Sequence, residues 1–367
     1  MKIVADENLA FTDYFFSEFG EIQNLAGRTI SNDDLKDCEA LLVRSVTKVN
    51  AELIKNTPIK FVGSATIGTD HLDISALENH QIRWANAAGC NAQAVAEYVV
   101  TALLTLRPEL IDAGQSFCLG VVGLGNVGTR LVALAQFLDW RVIGYDPFVQ
   151  HPAVEQVDFQ TLLNQSDAIS IHVPLTKKTD HSQQHATHHL FNESALSQMK
   201  TDAILINSAR GSVVEEKALL NDIKKNKRLV VLDVFEHEPQ ISAELLNALA
   251  LATPHIAGYS LEGKARGTQM IYQSFCQIFD KTVDKDFVQL LERCEPLLAL
   301  NEDAKNAKAE FKTQLMLNLS TIYDIRRDDQ VLRACLKDGA IQQKAFDDLR
   351  KNYPLRREWS AFGAELS

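Results

Sequence analysis

The sequence predicts an α/β fold with two parallel sheets. Over residues 1–280, short apolar segments alternate with helical patterns, the order expected when each strand is followed by a crossover helix. The apolar segments after residue 114 are dense in Val, Ile and Leu, as in strands covered on both faces. After residue 286 the pattern becomes helical and rich in basic side chains, which indicates an additional C-terminal domain.

The first domain is predicted over residues 1–100 and resumes at 259–286. Strands are expected at 2–6, 40–45, 60–65 and 82–87, and helices at 51–56 and 72–80. A longer helical pattern at 91–106 ends before Pro108 and connects to the next domain. The helical pattern at 262–280 is expected to return to the first domain.

The second domain is predicted over residues 101–258, and the C-terminal domain over 287–367. Five strands are expected in the second domain, at 117–123, 140–146, 168–173, 203–209 and 229–235. In the C-terminal domain, one helical face is marked by Phe311, Leu315, Leu319 and Ile322.

Composition and charge exclude several classes of protein. The 367 residues carry 37 basic and 48 acidic side chains, and the net charge of −11 argues against a nucleic-acid partner. No apolar run has the length of a membrane span, and Asp6 and Glu7 interrupt any N-terminal signal segment. The six cysteines are scattered, which favours reduced thiols. We therefore expect a cytoplasmic protein without a membrane partner.

A glycine motif predicts a dinucleotide site in the second domain. Gly123, Gly125 and Gly128 have G-x-G-x-x-G spacing between a predicted strand and a helix. These glycines permit a tight turn, close approach of a pyrophosphate and close helix–strand packing, and Asn126 and Val127 begin the helix with free amides.

An acidic residue after the next strand indicates which dinucleotide is bound. Asp146 ends that strand, where a carboxylate binds ribose hydroxyls and repels a 2′-phosphate. The fold is therefore predicted to be of the Rossmann type, with NAD as the cofactor. The alternative is a purely structural glycine turn.

Three polar residues follow successive predicted strands: Arg210, Glu238 and His255. Together they suit the oxidation of a 2-hydroxy acid, since arginine binds a carboxylate bidentately and histidine accepts the hydroxyl proton. A carboxylate beside the imidazole orients it and stabilises its charged form. Asp233 is a candidate contact to the nicotinamide amide, or alternatively a helix cap.

The segments around these residues resemble the D-isomer-specific 2-hydroxyacid dehydrogenase family. They are "GVVGLGNVG", "INSARGSVVEEKAL", "LDVFEHEP" and "TPHIAGYS". Other segments, including "FVGSATIGTDHLD" and the tail "LRKNYPLRREWS", are similar to a subgroup with an extra C-terminal domain. This resemblance implies a flavodoxin-like substrate domain beside the Rossmann domain, and a C-terminal α+β dimerisation domain.

The subgroup's activity implies a substrate and a pathway. It is the NAD-dependent oxidation of a phosphorylated four-carbon 2-hydroxy acid, in pyridoxal 5′-phosphate biosynthesis, by a homodimer.

The resemblance also assigns roles to individual positions. It implies that Arg210 and Glu238 are active-site residues and that His255 transfers the proton. The implied substrate contacts are Ser45, Thr66 and Tyr259. The implied cofactor contacts are Asp146, Asp233 and Gly258, to which we add Ser208 and the main chain of Val173.

A phosphorylated substrate needs a second anion site. Arg44 and Ser45 end a predicted strand of the first domain, and Thr66 follows another. We expect these three residues to hold the phosphate or the neighbouring hydroxyls, although a surface ion pair is an alternative for Arg44. The basic side chains of the tail are expected on a solvated face or in dimer salt bridges, and the alternative is that they reach into the partner's cleft; they are Arg326, Arg327, Arg350, Arg356 and Arg357.

A histidine-rich segment could be mistaken for a metal site. Residues 180–191 contain His181, His185, His188 and His189, and two pairs are spaced four apart. No cysteine or carboxylate ligands accompany them in the sequence, so we expect an exposed segment and no metal. Cys90 is expected to be a packed small side chain and not a nucleophile.

Two other functions remain open at this point. One is a different D-2-hydroxyacid dehydrogenase, of the phosphoglycerate or glycerate type. The other is a non-catalytic NAD(H)-sensing protein with the same fold.

Overall fold

The computed structural model describes residues 1–177, 185–298 and 306–364. The strands are β1 Lys2–Asp6, β2 Glu21–Leu25, β3 Ala40–Val43, β4 Phe61–Ser64, β5 Arg83–Asn86, β6 Cys118–Val122, β7 Arg141–Tyr145, β8 Glu155–Gln156, β9 Ala168–Ile171, β10 Ile204–Asn207, β11 Val230–Leu232, β12 Leu251–Ala252, β13 Leu336–Lys337 and β14 Ala340–Ile341.

The α-helices are α1 Thr12–Phe16, α2 Ala51–Ile54, α3 Ile74–Asn79, α4 Ala92–Leu106, α5 Asn126–Phe137, α6 Phe159–Gln165, α7 Glu193–Gln198, α8 Glu216–Asn226, α9 Ala243–Ala248, α10 Leu261–Ile278, α11 Ala307–Ile322, α12 Ile325–Ala334 and α13 Gln343–Lys351. Short 3-10 helices include Gly211–Val213 and Trp359–Phe362. Within the described ranges, none of the helices combines the length and the apolar character that a bilayer crossing requires.

The chain forms two compact units. Unit 1 contains Met1–Asn91 and Ser260–Glu292, and unit 2 contains Ala92–Tyr259 and Arg293–Ser367. Helix α10 thus belongs to unit 1, where Tyr272 and Phe275 pack with Phe16 at ring-centroid distances of 5.9 and 5.6 Å. Burial of these aromatic rings joins the late helix to α1, near the start of the chain.

The sheet of unit 1 has the flavodoxin-like strand order. Its five parallel strands lie in the order β2-β1-β3-β4-β5. Strands β3 and β4 are buried along their whole length, as their apolar sequences predict. The flavodoxin-like prediction for this unit is confirmed. Edge strand β2 was not predicted, because its sequence, EIQNL, is mixed and half exposed.

The large sheet of unit 2 has the Rossmann strand order. Seven parallel strands lie in the order β12-β11-β10-β9-β6-β7-β8. The order reverses between β6 and β9, and open α/β sheets bind ligands outside the carboxyl ends of the strands at such a reversal. The Rossmann prediction is confirmed, and the glycine motif follows β6 at this point.

The tail packs into unit 2 through an apolar helix face. Phe311 and Leu315 of α11 are fully buried, and Ile322 is 5 % exposed. Phe311 contacts Phe137 of α5, with ring centroids 5.1 Å apart. The predicted helical face is therefore confirmed. Polar contacts also fix the tail, since Asp329 of α12 accepts a hydrogen bond from the Ala252 amide at 2.8 Å.

Candidate functional site

The glycine turn after β6 has the geometry of a dinucleotide-binding loop. Gly123 has a φ of +95°, and a Cβ there would lie 2.7 Å from the His172 carbonyl oxygen. A Cβ at Gly128 would collide with the Gly123 carbonyl, so both positions require glycine. A Cβ at Gly125 would instead have no neighbour within 4 Å among the described residues. Space is thus available where a pyrophosphate would approach the backbone.

The carboxylate of Asp146 is held beside the glycine turn. It accepts hydrogen bonds from the amide of Leu124 at 2.9 Å, and from Phe148 and Val149 at 2.9 and 3.1 Å. These bonds fix the acidic group at the carboxyl end of β7, adjacent to β6. This is the position at which Rossmann domains bind an adenosine ribose.

Other predicted cofactor residues surround the same turn. Asn126 and Val127 form the first turn of α5, whose leading amides have no partner within the helix. Val173 lies beside Gly123. The Ser208 hydroxyl after β10 is buried and has no hydrogen-bond partner within the described parts of the chain. An orphaned hydroxyl and an open glycine face are features that a bound dinucleotide would satisfy, so these residues fit NAD.

His172 is a polar residue of this region that the sequence analysis did not single out. It follows β9, and its Nε2 lies 2.9 Å from the Ser170 hydroxyl. Burial lowers the pKa of His172 to about 3, so the imidazole is neutral near pH 7. A neutral side chain there adds no positive charge beside the glycine turn.

His255 and Glu238 form a hydrogen-bonded pair. His255 Nδ1 lies 2.9 Å from Glu238 Oε2, and the other oxygen, Oε1, accepts the Phe235 amide at 2.8 Å. Although burial opposes ionisation, the hydrogen bond and charge of His255, the Phe235 amide and the charge of Arg350 hold the pKa of Glu238 below its usual range. Glu238 is therefore a carboxylate that can accept the Nδ1 hydrogen of His255, and among the described residues His255 Nε2 has no hydrogen-bond partner.

Asp233 supports the loop that carries His255. Its Oδ1 accepts the Thr253 hydroxyl at 2.6 Å and the Ile256 amide at 2.7 Å, while Oδ2 accepts the Ala257 amide at 2.9 Å. Burial raises the pKa of Asp233, against these hydrogen bonds and the opposing effect of His255. The helix-cap alternative is wrong, because these donors belong to a loop. Oδ2 retains the capacity to accept one further hydrogen bond.

Arg210 lies on the neighbouring loop. It follows β10, which pairs with β11, and β11 pairs in turn with β12, the strand before His255. A Cβ at Gly211 would collide with the Phe235 carbonyl, so the loop of Arg210 touches the loop of Glu238. The Arg210 side chain is half-buried, and its Nη1 donates to the Ala209 carbonyl at 2.9 Å. Arg210, Glu238 and His255 therefore follow three adjacent strands.

Two arginines of the tail contact the same region. Arg350 Nη2 donates to the Tyr259 hydroxyl at 3.2 Å, and Arg356 is 8 % exposed. Arg356 donates to main-chain carbonyls on both sides of Gly258, including that of Ile256 at 3.0 Å. The expectation of a solvated face or dimer salt bridges is wrong for Arg356, because neighbouring loops bury its guanidinium.

Unit 1 contains a cluster of charged groups at the carboxyl ends of β1 and β3 and on α10. Arg44 Nε lies 3.1 Å from Oδ2 of Asp6, which is fully buried, so Arg44 does not form a surface ion pair. Burial and the charge of Arg44 lower the pKa of Lys264 to about 8, against the opposing effect of Asp6. Lys264 is therefore a second cation near Arg44 that the sequence analysis missed.

The remaining predicted substrate residues of unit 1 lie after β3 and β4. Ser45 is exposed, and the Thr66 hydroxyl lies 2.8 Å from that of Ser64. The Ser64 hydroxyl is also 2.9 Å from His71 Nε2. Both predicted hydroxyls thus follow carboxyl ends of parallel strands, as Arg44 does.

Part of the histidine-rich segment meets a carboxylate. His189 Nε2 lies 2.5 Å from Glu236 Oε1, and the donor atoms of His188, His189 and Glu236 lie within 4.8 Å of one another. The expectation that no carboxylate accompanies these histidines is therefore wrong, because the fold brings Glu236 to them. His181 lies outside the described residues. Cys90 is buried, as predicted.

Comparisons with known sequences match the whole chain. Residues 113–257 match the family described as "D-isomer specific 2-hydroxyacid dehydrogenase, NAD binding domain", and residues 296–367 match a domain of unknown function. A protein named erythronate-4-phosphate dehydrogenase from Acinetobacter baumannii is 64% identical over 99% of both chains. One of the same name from Acinetobacter baylyi is 59% identical over 100% of both.

Comparisons with solved structures agree with the fold. The D-lactate dehydrogenase of Aquifex aeolicus, complexed with NAD and lactic acid, has a TM-score of 0.61 and 23% identity over 76% of this chain and 96% of that one. A D-2-hydroxyisocaproate dehydrogenase has a TM-score of 0.63 and 23% identity over 78% and 98%. These likenesses concern the fold alone. The identity to the Acinetobacter proteins shows that the chain belongs to the erythronate-4-phosphate dehydrogenase family, a group of NAD-dependent oxidoreductases.

Proposed function

We propose that this protein oxidises 4-phospho-D-erythronate to (R)-3-hydroxy-2-oxo-4-phosphobutanoate, with NAD as the acceptor, in pyridoxal 5′-phosphate biosynthesis. The observation that carries the proposal is the pairing of His255 with Glu238 at 2.9 Å, on a Rossmann domain of this family. A histidine whose ring is held by a carboxylate at the carboxyl end of the sheet, where this fold binds its ligands, supports this reaction.

The proton moves through His255. Its Nδ1–H donates to Glu238, so Nε2 carries the lone pair that accepts the proton of the 2-hydroxyl group. The Glu238 carboxylate stabilises the imidazolium that results. Bound NAD would supply the acceptor for the hydride of carbon 2. Asp146 would hold its ribose, the amides of Asn126 and Val127 its phosphates, and Asp233 and Gly258 its nicotinamide end.

The substrate's two anionic ends need separate cations. We assign the carboxylate to Arg210, because a guanidinium binds a carboxylate through two parallel hydrogen bonds. We assign the phosphate or neighbouring hydroxyls to Arg44, Ser45 and Thr66, and a further substrate contact to Tyr259. The charge of Lys264 near Arg44 adds to the positive field of unit 1 and supports an anion there.

We further propose that the protein is a cytoplasmic homodimer in which the tail forms the contact between subunits. Leu317 and Val331, on α11 and α12, are 76% and 42% exposed and are candidates for that contact. Sedimentation equilibrium tests the assembly. We expect a dimer that Leu317→Glu weakens, and a monomeric wild-type protein would contradict the proposal.

The experiment that tests the reaction is NADH formation from a panel of 2-hydroxy acids. We expect the highest kcat/KM with 4-phospho-D-erythronate, and at least about tenfold less with unphosphorylated erythronate, because the phosphate contacts are lost. Higher kcat/KM with phosphoglycerate or glycerate would identify a different dehydrogenase. NADH binding without oxidation of any acid would indicate a sensing protein.

A further inference from the structure

The loop Ile256–Tyr259 is held between a buried anion and a buried cation. On one side, Asp233 accepts the amides of Ile256 and Ala257. On the other side, Arg356 donates to the carbonyls of Ile256, Ala257 and Tyr259, at 3.0 Å for Ile256 and 3.4 Å for Tyr259. Five polar groups of the main chain in this loop are therefore bonded by two side chains that are almost fully buried.

Arg356 is itself firmly held. Its Nη2 also donates to the Ala94 carbonyl of α4 at 2.9 Å, and its guanidinium lies 4.5 Å from the centroid of the Tyr323 ring. A buried guanidinium with a planar fork and an aromatic face has little freedom to move. The guanidinium therefore fixes the loop relative to α4 and the tail.

The loop needs such support at His255. The backbone of His255 has a φ of +58°, in the left-handed region that non-glycine residues rarely adopt. Such a conformation persists only where the surrounding structure fixes it. The next two residues carry most of the contacts with Asp233 and Arg356, so these contacts fix the backbone from which the imidazole reaches Glu238.

We infer that Arg356, in the segment that matches a domain of unknown function, is a positioning residue for His255. The tail then has a role in the proton transfer of its own chain, in addition to the proposed contact between subunits. This inference rests on the proposed function, since it assigns Arg356 an effect on the base of that reaction.

The test compares wild type, Arg356→Lys, His255→Ala and the double variant in NADH formation from 4-phospho-D-erythronate. Lysine keeps the charge but loses the planar fork, so we expect Arg356→Lys to lower kcat by about 10- to 100-fold with little change in KM. His255→Ala should lower kcat by about 100- to 10,000-fold. In the His255→Ala background, Arg356→Lys should cause no further loss, because it acts through the missing imidazole.

Arg333 provides a matched control. It lies in the same tail and donates to the carbonyls of Leu246 and Leu249 at the end of α9, and not to the carbonyls of the loop after His255. Arg333→Lys should therefore weaken the attachment of the tail without lowering kcat. An equal loss of kcat in Arg333→Lys would overturn the inference, because any weakening of the tail's attachment would then lower turnover. Losses of kcat that multiply in the double variant would also overturn it, because Arg356 would then act independently of His255.

A second pair of variants covers the case in which Arg356→Lys does not fold. Tyr323→Leu removes the ring that faces Arg356, and Tyr323→Phe keeps it. We expect kcat to fall in the first and not in the second, and equal kcat values would overturn the inference. Wild-type turnover by His255→Ala would instead refute the proposed function. If His255→Ala is impaired while Arg356→Lys is fully active, the inference about Arg356 is refuted and the proposed function is not.

Discussion

Glu238 Oε2 and His255 Nδ1 lie 2.9 Å apart, although 17 residues separate them in the chain. Glu238 follows β11 and His255 follows β12, and these strands are neighbours in the sheet. The contact thus follows from the parallel strand order, which brings the carboxyl ends of successive strands together.

The Glu238–His255 contact predicts a pH effect. A carboxylate favours the protonated imidazole and an amide does not, so Glu238→Gln should make the base available at lower pH. We expect the acidic limb of the kcat/KM profile for oxidation to move to lower pH. Glu236→Gln, which alters a glutamate bonded to His189, is the control. If the acidic limb of the profile does not move in Glu238→Gln, Glu238 does not act on the base His255.

The carboxylate of Asp146 should determine the choice of dinucleotide. Removing its charge in Asp146→Asn removes the repulsion of a 2′-phosphate, so the preference for NAD over NADP should fall by about tenfold or more. The measurement is kcat/KM with each dinucleotide. Glu155→Gln, at an exposed position on β8, should leave the preference unchanged. If Asp146→Asn and wild type have the same preference for NAD over NADP, Asp146 does not contact the ribose.

Arg44 should bind the phosphorylated end of the substrate. Arg44→Gln removes a charge-assisted contact, so the KM for 4-phospho-D-erythronate should rise by about 10- to 100-fold. Arg83→Gln, at an exposed position on β5, is the control. Because Arg44 pairs with buried Asp6, the combined change Asp6→Asn with Arg44→Gln separates binding from folding. An unchanged KM in folded variants would exclude Arg44 from the site.

His172 should make stability depend on pH. Its folded pKa of about 3 lies below the unfolded value of about 6.5. Between these values the unfolded chain binds a proton that the folded protein does not, so the free energy of unfolding decreases as pH falls, by up to about 1.4 kcal/mol per pH unit. Urea titrations should show a shallower decrease in His172→Gln, and no change in His237→Gln, an exposed position. Identical slopes in wild type and His172→Gln would contradict this assignment.

The cluster of His188, His189 and Glu236 should not take part in turnover. Hydride transfer with His255 as base requires no metal ion, so treatment with a chelator should leave the rate of NADH formation unchanged. Loss of activity on chelation, restored by a divalent cation, would show that a metal contributes. Loss of the cation-dependent activity in His188→Ala would then show that this cluster binds the metal ion.

Much of the fold was predictable because its signals are local. The buried strands β3 and β4 are continuous apolar segments, and the glycine turn and Asp146 occur within one strand–helix–strand unit. The parallel strand order then brings Arg210, Glu238 and His255 to the carboxyl ends of adjacent strands. Local pattern sufficed for these features because chain order and strand order are linked in this fold.

The tail contacts were not predictable in the same way. Arg356 lies 100 residues from Ile256, and basic residues in a highly charged segment are usually solvent-exposed. His189 and Glu236, 47 residues apart, meet only through the packing of two loops. The polar edge strand β2 lacks a clear apolar period. Each of these features depends on tertiary packing, which sequence periodicity does not report.

The most direct test of the account is the rate of NADH formation by His255→Ala with 4-phospho-D-erythronate, measured beside NADH affinity on the same preparation. We predict that kcat falls by about 100-fold or more while the Kd for NADH changes by less than about threefold. Turnover at the wild-type rate, with cofactor affinity intact, would contradict the assignment of His255 as the proton acceptor.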